Sequence, residues 1–458
     1  MPKRSNPISE PARGLIIAAP ASGSGKTTIA IGLARALHRD GVAVSGFKVG
    51  PDYIDPAFLA AASRCPCPNI DLWAMRKTTV DHTAHRVFGG SEFVIGEGVM
   101  GLFDGAPDGT GSTADVASTL GLPVILIIDA SGMAASAGAL VSGFVHYRDD
   151  VNVAGVVFNR VGGPRHVRAL RQAVEPLGIP VIGAIPRDAG LALPSRHLGL
   201  VQAREQDGLT GILDKAADLI DEHLDIGVLQ ALARSPVFER PAPDQHGPGL
   251  APPGQRIAVA NDEAFAFSYP DILVGWSQAG ADVVPFSPLA GDGPTRDADA
   301  IYLPGGYPEL HAGAIASNRV FMDGLMQAAR DGVFIFGECG GYMVLGESLV
   351  DGNDERHAMA GLLPLETSFR TRKLALGYRS VSLAATGPLG PVGTNFRGHE
   401  FHYATITREG QGDRLFSARD AAGNNIGEAG LRVGSVMGSF VHLIDRAATQ
   451  VKARKGPS

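Results

Sequence analysis

The run Leu15-Ile16-Ile17-Ala18-Ala19-Pro20-Ala21-Ser22-Gly23-Ser24-Gly25-Lys26-Thr27-Thr28 decides the fold of the first half of the chain. Leu15–Ala19 reads as a buried strand and Gly23 and Gly25 as a tight turn. Lys26–Arg39 reads as an amphipathic helix, because Ile29, Leu33 and Leu37 recur every four residues. A turn of this kind aims backbone N–H groups inward at a helix N-terminus, where partial positive charge gathers. Gly23, Ser24, Gly25, Lys26, Thr27 and Thr28 are therefore expected to hold a polyphosphate. Lys26 would reach the β- and γ-phosphates of ATP, and the Thr27 hydroxyl would ligate Mg²⁺. The usual loop has glycine where Pro20 stands, so this one is a variant.

Outward from the loop, short apolar runs alternate with helical stretches. Val42–Val49, Phe93–Glu97, Val124–Asp129, Val153–Phe158 and Pro180–Ile185 read as further strands, buried on both faces of a mostly parallel sheet. Acids and a lysine follow two of these runs, at Lys48-Val49-Gly50-Pro51-Asp52-Tyr53-Ile54-Asp55 and Glu97-Gly98-Val99-Met100-Gly101-Leu102-Phe103-Asp104-Gly105. The carboxyl edge of such a sheet is where ligands bind, so Asp52 and Glu97 join Thr27 as metal candidates. Lys48 would neutralise a phosphoryl group in transfer. Asn159, ahead of Arg160, is expected to meet the adenine base; a plain turn asparagine is the alternative.

The rhythm breaks at 235–255, which holds Pro236, Pro241, Pro243, Pro248, Pro252 and Pro253. That stretch reads as a linker. It divides a domain at 1–234 from one at 256–450, with a tail at 451–458. Strand runs restart at Ile257–Ala260, Val283–Phe286, Ala300–Leu303 and Val333–Phe336, followed by β-rich candidates at Leu374–Leu383, His402–Thr407 and Gly434–Phe440. The 458 residues thus predict an α/β chain of two main domains.

Bulk properties narrow the role. A net charge of −7 argues against general nucleic-acid or membrane-surface binding. No apolar run approaches the roughly 18 residues of a membrane span. Three cysteines supply no disulfide framework, so the cytoplasm is the expected compartment.

Val333-Phe334-Ile335-Phe336-Gly337-Glu338-Cys339-Gly340-Gly341-Tyr342 feeds a buried strand into a sharp turn. Glycines around Cys339 give the cysteine form of a nucleophile elbow. A helix N-terminus is expected to lower the thiol pKa. Leu303-Pro304-Gly305-Gly306-Tyr307 ends another strand, and the N–H of Gly306 with that of Gly340 would stabilise an oxyanion. The thiol needs a base. His442 is the choice, with His399 and His402 as competitors. Buried structural cysteine is the alternative for Cys339.

Together these segments resemble the cobyrinic acid a,c-diamide synthases of corrinoid biosynthesis. The resemblance spans nearly the whole chain. It rests on the phosphate loop, Lys48–Asp55, Glu97–Gly105, Leu193–Leu200, Leu303–Pro308, Phe336–Gly341, Arg397–Tyr403 and Gly438–His442. It implies a dethiobiotin-synthetase-like P-loop domain fused to a class I glutamine amidotransferase domain of flavodoxin-like α/β type. It also implies ATP, Mg²⁺ and L-glutamine, a tetrapyrrole substrate amidated at its a- and c-acetates through acyl phosphates, and a homodimer. Lys26, Thr27, Asp52 and Glu97 match phosphate and metal positions. Tyr53 and Asp104 match positions linked to corrinoid binding or catalysis, and Cys339 and His442 match the glutaminase dyad. Wider glutaminases carry a glutamate two residues after the histidine. Ile444 stands there, and a neighbouring acid, Asp445, is offset by one residue and should face the other side of a strand.

Other readings stay open: a regulatory P-loop ATPase with an inactive glutaminase-like domain, a cysteine hydrolase with a degenerate ATPase, and the same chemistry on nickel-sirohydrochlorin. Chain length and the Ala-Pro-Ala-Ser-Gly loop favour metal-free hydrogenobyrinic acid over cobyrinic acid.

Overall fold

The computed structural model describes residues 12–187, 195–196, 199–206, 208–239 and 249–448. Part of the Leu193–Leu200 motif, the middle of the Pro-rich stretch (240–248) and the 451–458 tail lie outside them. Two compact units emerge. The first gathers 1–73, 80–246 and 267–271; the second gathers 74–79, 247–266 and 272–458.

In the first unit, β1 (Arg13–Ala18), β2 (Val44–Val49), β3 (Asn69–Ile70), β4 (Phe93–Glu97), β5 (Val124–Asp129), β6 (Val153–Val161) and β7 (Val181–Pro186) form one sheet in the order β3-β2-β4-β1-β5-β6-β7. Every pairing in it is parallel. The continuous apolar runs have the cause inferred from sequence, since all six residues of β2 are buried. β1 lies between β4 and β5, so the chain after β1 emerges at the sheet's centre, with the ends of β2 and β4 alongside. Beyond this sheet, β8 (Ser195–Arg196) and β9 (Gly199–Leu200) pair as a short antiparallel ladder.

The helix Lys26–Arg39 packs on the helix Leu209–His223. Arg35 pairs with Asp214 at 2.8 Å, and Arg39 with Asp218 and Asp221 at 2.7 and 2.9 Å. Gly32 permits the close approach, because a Cβ there would stand 2.7 Å from the Ala216 carbonyl oxygen. The first part of the Pro-rich stretch also packs on this unit: Val237 N–H donates to Leu120 O at 2.8 Å, and Phe238 meets Phe88.

The second unit is built on a ten-stranded mixed sheet. β10 (Arg256–Ala260), β11 (Asp282–Phe286), β12 (Ala300–Leu303) and β13 (Phe334–Glu338) are parallel. A smaller sheet holds β14 (Ser348–Val350), β15 (Arg356–Ala358), β16 (Leu365–Ser368) and β19 (Thr405–Glu409). The large sheet continues through β17 (Ala375–Leu383), β18 (Asn395–His402), β20 (Asp413–Asp420), β21 (Asn425–Val433), β22 (Val436–Ser439) and β23 (Val441–Arg446), in the order β11-β10-β12-β13-β22-β21-β20-β17-β18-β23.

Two expectations change here. The run His402–Thr407 is not one strand: β18 ends at His402 and β19 starts at Thr405 in the other sheet. His442 lies inside a strand of its own, β23, whereas the last strand run read from the sequence stops at Phe440.

Gly32→Ala is the sharpest test of the helix packing. In an exposed helix this change stabilises by about 1 kcal/mol. Here overpacking against a backbone carbonyl should reverse the sign, at a cost of about 1–3 kcal/mol. The urea midpoint of the purified chain should fall.

Candidate active sites

In the first unit, Gly23 and Gly25 hold φ of 79° and 95°, in the left-handed region glycine favours. A Cβ on Gly25 would also meet Asn159 Nδ2 at 2.3 Å. No side chain caps the helix that starts at Lys26, and its first turn carries no acid, so its leading N–H groups suit an anion. Lys26 folds over the loop, its Nζ donating to Met100 O at 2.6 Å and Ala21 O at 3.2 Å. Burial, then Lys48, lowers its pKa to about 8.

Lys48 is the hub of the adjacent cluster. Its Nζ donates to Asp55 Oδ2 at 2.6 Å and Glu97 Oε1 at 2.8 Å, and lies 3.6 Å from Asp52 Oδ2. Thr27 Oγ1 stands 2.6 Å from Glu97 Oε1 and 3.2 Å from Asp55 Oδ2. Burial raises Glu97 to about 7 and Asp52 to about 6. For Asp55, burial pushes upward, but Lys48 overcomes it and holds the carboxyl below its usual range. Glu97 Oε2 is buried with no hydrogen-bond partner. Hard oxygens from a hydroxyl and carboxylates, one of them unpaired, fit the donor preferences of Mg²⁺.

The remaining predicted residues take other positions around this cluster. Asn159 Nδ2 donates to Ser24 O at 2.9 Å, which braces the loop. Asp52 Oδ1 accepts the N–H groups of Ile54 and Asp55 at 2.9 and 3.0 Å, shaping the turn into the next helix. Tyr53 stacks on Phe267 with ring centroids 5.4 Å apart, and its hydroxyl accepts from the Tyr269 hydroxyl at 2.8 Å. Asp104 is exposed and accepts the Gly101 N–H at 2.8 Å. Asp55 is the residue the sequence reading passed over as a site candidate. A proline immediately after it, at a helix start, was the available signal.

In the second unit, Cys339 sits between β13 and the helix Gly340–Leu345 with φ 47°, a conformation that strains any non-glycine residue. The turn forms only because small residues surround it: a Cβ on Gly341 would stand 2.0 Å from Leu303 O. A Cβ on Gly340 would lie 3.0 Å from Gly306 N, so the two glycines expected to form an oxyanion site approach closely. A Cβ on Gly305 would stand 3.2 Å from Cys339 Cβ, 2.9 Å from His442 Nε2 and 2.3 Å from His442 Cε1. Gly305 is thus the space in which the thiol-bearing and imidazole-bearing residues meet.

Of the competing histidines, His402 is committed elsewhere. His402 contacts Glu400 Oε1 at 2.9 Å and Ala404 O at 3.0 Å, and it stacks on Phe440. His399 is buried, and burial with Arg379 lowers its pKa to about 4. The expected low thiol pKa is overturned. Burial, then Glu309, pushes Cys339 well above the usual thiol range. A six-residue helix end, even with a favourable contribution from the Gly340 N–H, does not outweigh desolvation.

Residues 15–201 match the nucleotide-binding domain family described as CobQ/CobB/MinD/ParA, and residues 256–449 match the CobB/CobQ-like glutamine amidotransferase domain. A protein of Brucella anthropi named hydrogenobyrinate a,c-diamide synthase is 53% identical over 437 residues, covering 94% of this chain and 98% of that one. The chain belongs to the hydrogenobyrinate a,c-diamide synthase family. Relatives of the same name from a Sinorhizobium species and from Mesorhizobium japonicum are 52% and 50% identical, each covering 95% of this chain and 99% of its own. In this diamide-synthase chain, among the described residues, no helix is long and apolar enough to cross a membrane.

Gly305→Ala follows directly from the family's glutamine chemistry. The added methyl must displace the His442 ring from Cys339. A misplacement of about 1 Å can cost about 10²-fold. Glutamine hydrolysis should fall by at least that order, with the nucleotide unit's ATP affinity unchanged in calorimetry.

Proposed function

We propose that the chain amidates the a- and c-acetate carboxylates of hydrogenobyrinic acid, consuming ATP and glutamine, as a step of cobalamin biosynthesis. The observation that carries this reading is the identity, half or more over nearly the full length, to relatives that bear that name. Domains at 1–234 and 256–450, joined by 235–255 and ending in a 451–458 tail, would divide the work.

In the synthetase half, a substrate carboxylate oxygen attacks the γ-phosphorus of ATP. The bond to the bridging oxygen breaks and ADP leaves, giving an acyl phosphate. Lys26 and the N–H groups of Gly23–Thr28 neutralise charge that spreads over the transferring oxygens. Lys26 must leave the Met100 and Ala21 carbonyls to do so. Thr27, Glu97 and Asp55, with Asp52 beside them, would hold Mg²⁺, which supplies charge neutralisation at the phosphates. Lys48 keeps the acids together and sits close enough to the loop to share this role. Asn159 holds the loop's shape, and Tyr53 and Asp104 would contact the ring substrate.

In the glutaminase half, His442 takes the thiol proton as Cys339 attacks the side-chain amide of glutamine. The N–H groups of Gly306 and Gly340 receive the oxyanion. Ammonia leaves with the proton from His442, and water then releases glutamate from the thioester. Burial holds Cys339 in the thiol form, so a base such as His442 is needed to generate the thiolate. Ammonia then displaces phosphate from the acyl phosphate, and the cycle runs twice. A cytoplasmic homodimer is the expected working form.

Mass spectrometry of products formed from candidate tetrapyrroles with ATP, Mg²⁺ and glutamine tests the reading. Hydrogenobyrinic acid should gain two amides; a chain that amidates only another ring refutes the substrate. Cys339→Ala should abolish glutamine use yet retain synthesis with added ammonium. Lys26→Ala should stop ATP turnover while basal glutaminase activity persists.

A further inference from the structure

β23 carries no acid at the position two residues after His442, where Ile444 is buried instead. Asp445 does not substitute. A one-residue bulge at Ile444 disturbs the strand alternation, and Asp445 accepts from Arg76 N and Nε at 2.8 and 3.0 Å and from Thr79 Oγ1 at 2.6 Å. A different carboxylate faces the imidazole. Glu338, the residue before the nucleophile, is 2% exposed. Its Oε2 lies 3.9 Å from His442 Nδ1 and accepts the Tyr302 hydroxyl at 2.6 Å. Its Oε1 accepts the N–H of Leu443 at 2.9 Å, which fixes the carboxylate to the backbone next to His442.

The arrangement is two-sided. Gly305, which also approaches Cys339, lies against the Nε2 and Cε1 side of the ring, and Glu338 lies on the Nδ1 side. Resting on the reading of Cys339 and His442 as the glutaminase dyad, we propose that Glu338 is the positioning residue for His442. It orients the Nδ1 side so that Nε2 accepts the thiol proton, and it stabilises the imidazolium that results. The third partner of the dyad thereby comes from the nucleophile turn itself rather than from the histidine strand.

Other charged or titratable groups near the pair have separate places. Tyr302 reaches Glu338 from β12, His399 lies opposite His442 in the β18 pairing, and Glu309 and Glu400 act on Cys339. Burial raises Glu338 to about 7, against the pull of Tyr302 and the Leu443 N–H. In its carboxylate form Glu338 offsets the positive charge that His442 gains when it takes the thiol proton.

The test uses the full chain with Glu338→Gln, Glu338→Asp and Cys339→Ala. Glutaminase kcat and KM are measured from pH 6 to 9.5, alongside ammonium-supported synthesis. Losing the orienting acid of an analogous triad costs up to about 10⁴-fold in kcat. Glu338→Gln should lower glutaminase kcat by about 10²–10⁴-fold with little change in KM for glutamine. It should shift the acid limb of the kcat/KM profile and leave ammonium-supported synthesis intact. Glu338→Asp should recover part of the loss. The proposal is overturned if Glu338→Gln keeps kcat and the pH profile while Cys339→Ala abolishes glutamine use. Joint loss of both syntheses in Glu338→Gln, or an aspartate no better than glutamine, also counts against it by marking a packing role. Survival of glutamine use in Cys339→Ala would instead sink the dyad reading beneath it.

Discussion

Lys48 brings a full positive charge into the interior at the end of β2, with its side chain 3% exposed. Taking an ammonium out of water costs several kcal/mol unless acids meet it. Burial alone would push its pKa down, but Asp55, Glu97 and Asp52 overcome that and hold it well above the ordinary lysine value. The dependence runs both ways. Three carboxylates could not gather beside Thr27 without a cation among them, because two of them already tend toward protonation. The parallel sheet makes the meeting unavoidable: β2 and β4 are neighbours, and Lys48 is in register with Glu97.

The second unit solves a comparable problem by curvature. In strand order, β13 and β23 are six places apart, and a flat sheet would separate them by about 29 Å. Yet Glu338 at the end of β13 accepts a hydrogen bond from Leu443 in β23. The sheet therefore curls until its far edge returns to the nucleophile turn. Strand twist of the usual hand, accumulated over several strands, permits such curling. Tyr342 and Phe440, from either side of this return, meet edge to face in the buried core with ring centroids 5.4 Å apart.

Most of the framework was legible because it depends on local pattern. The strand runs around β1 to β7 are apolar without alternation, and the glycines of the phosphate loop and of the Cys339 turn mark places where side chains cannot fit. Long-range closure was not legible in the same way. The split between β18 and β19 sends adjacent residues into different sheets, a choice made by pairing partners far away. The bulge at Ile444 changes which way Asp445 points, and nothing in Val441–Arg446 announces it. The thiol pKa departs from the value the turn predicts because helix position is visible in sequence and burial depth is not. Glu338 was visible as an acid ending an apolar strand, but its neighbour in space is 104 residues further along the chain.

The exchange of short segments between the units bears on how the chain could be divided. Arg76 and Thr79 come from the amino-terminal half, yet they pack in the second unit and donate to Asp445, which is 0% exposed. A fragment cut in the Pro-rich stretch would keep that carboxylate and discard its Arg76 and Thr79 donors, leaving the Arg446 N–H at 2.7 Å and a buried charge without its counter-ion, three residues from His442. The unit boundary in the Pro-rich stretch is therefore not the only one, since 74–79 belongs to the second unit and 267–271 to the first. Separate expression of the carboxyl-terminal half therefore removes part of what neutralises Asp445, on the same strand that carries His442.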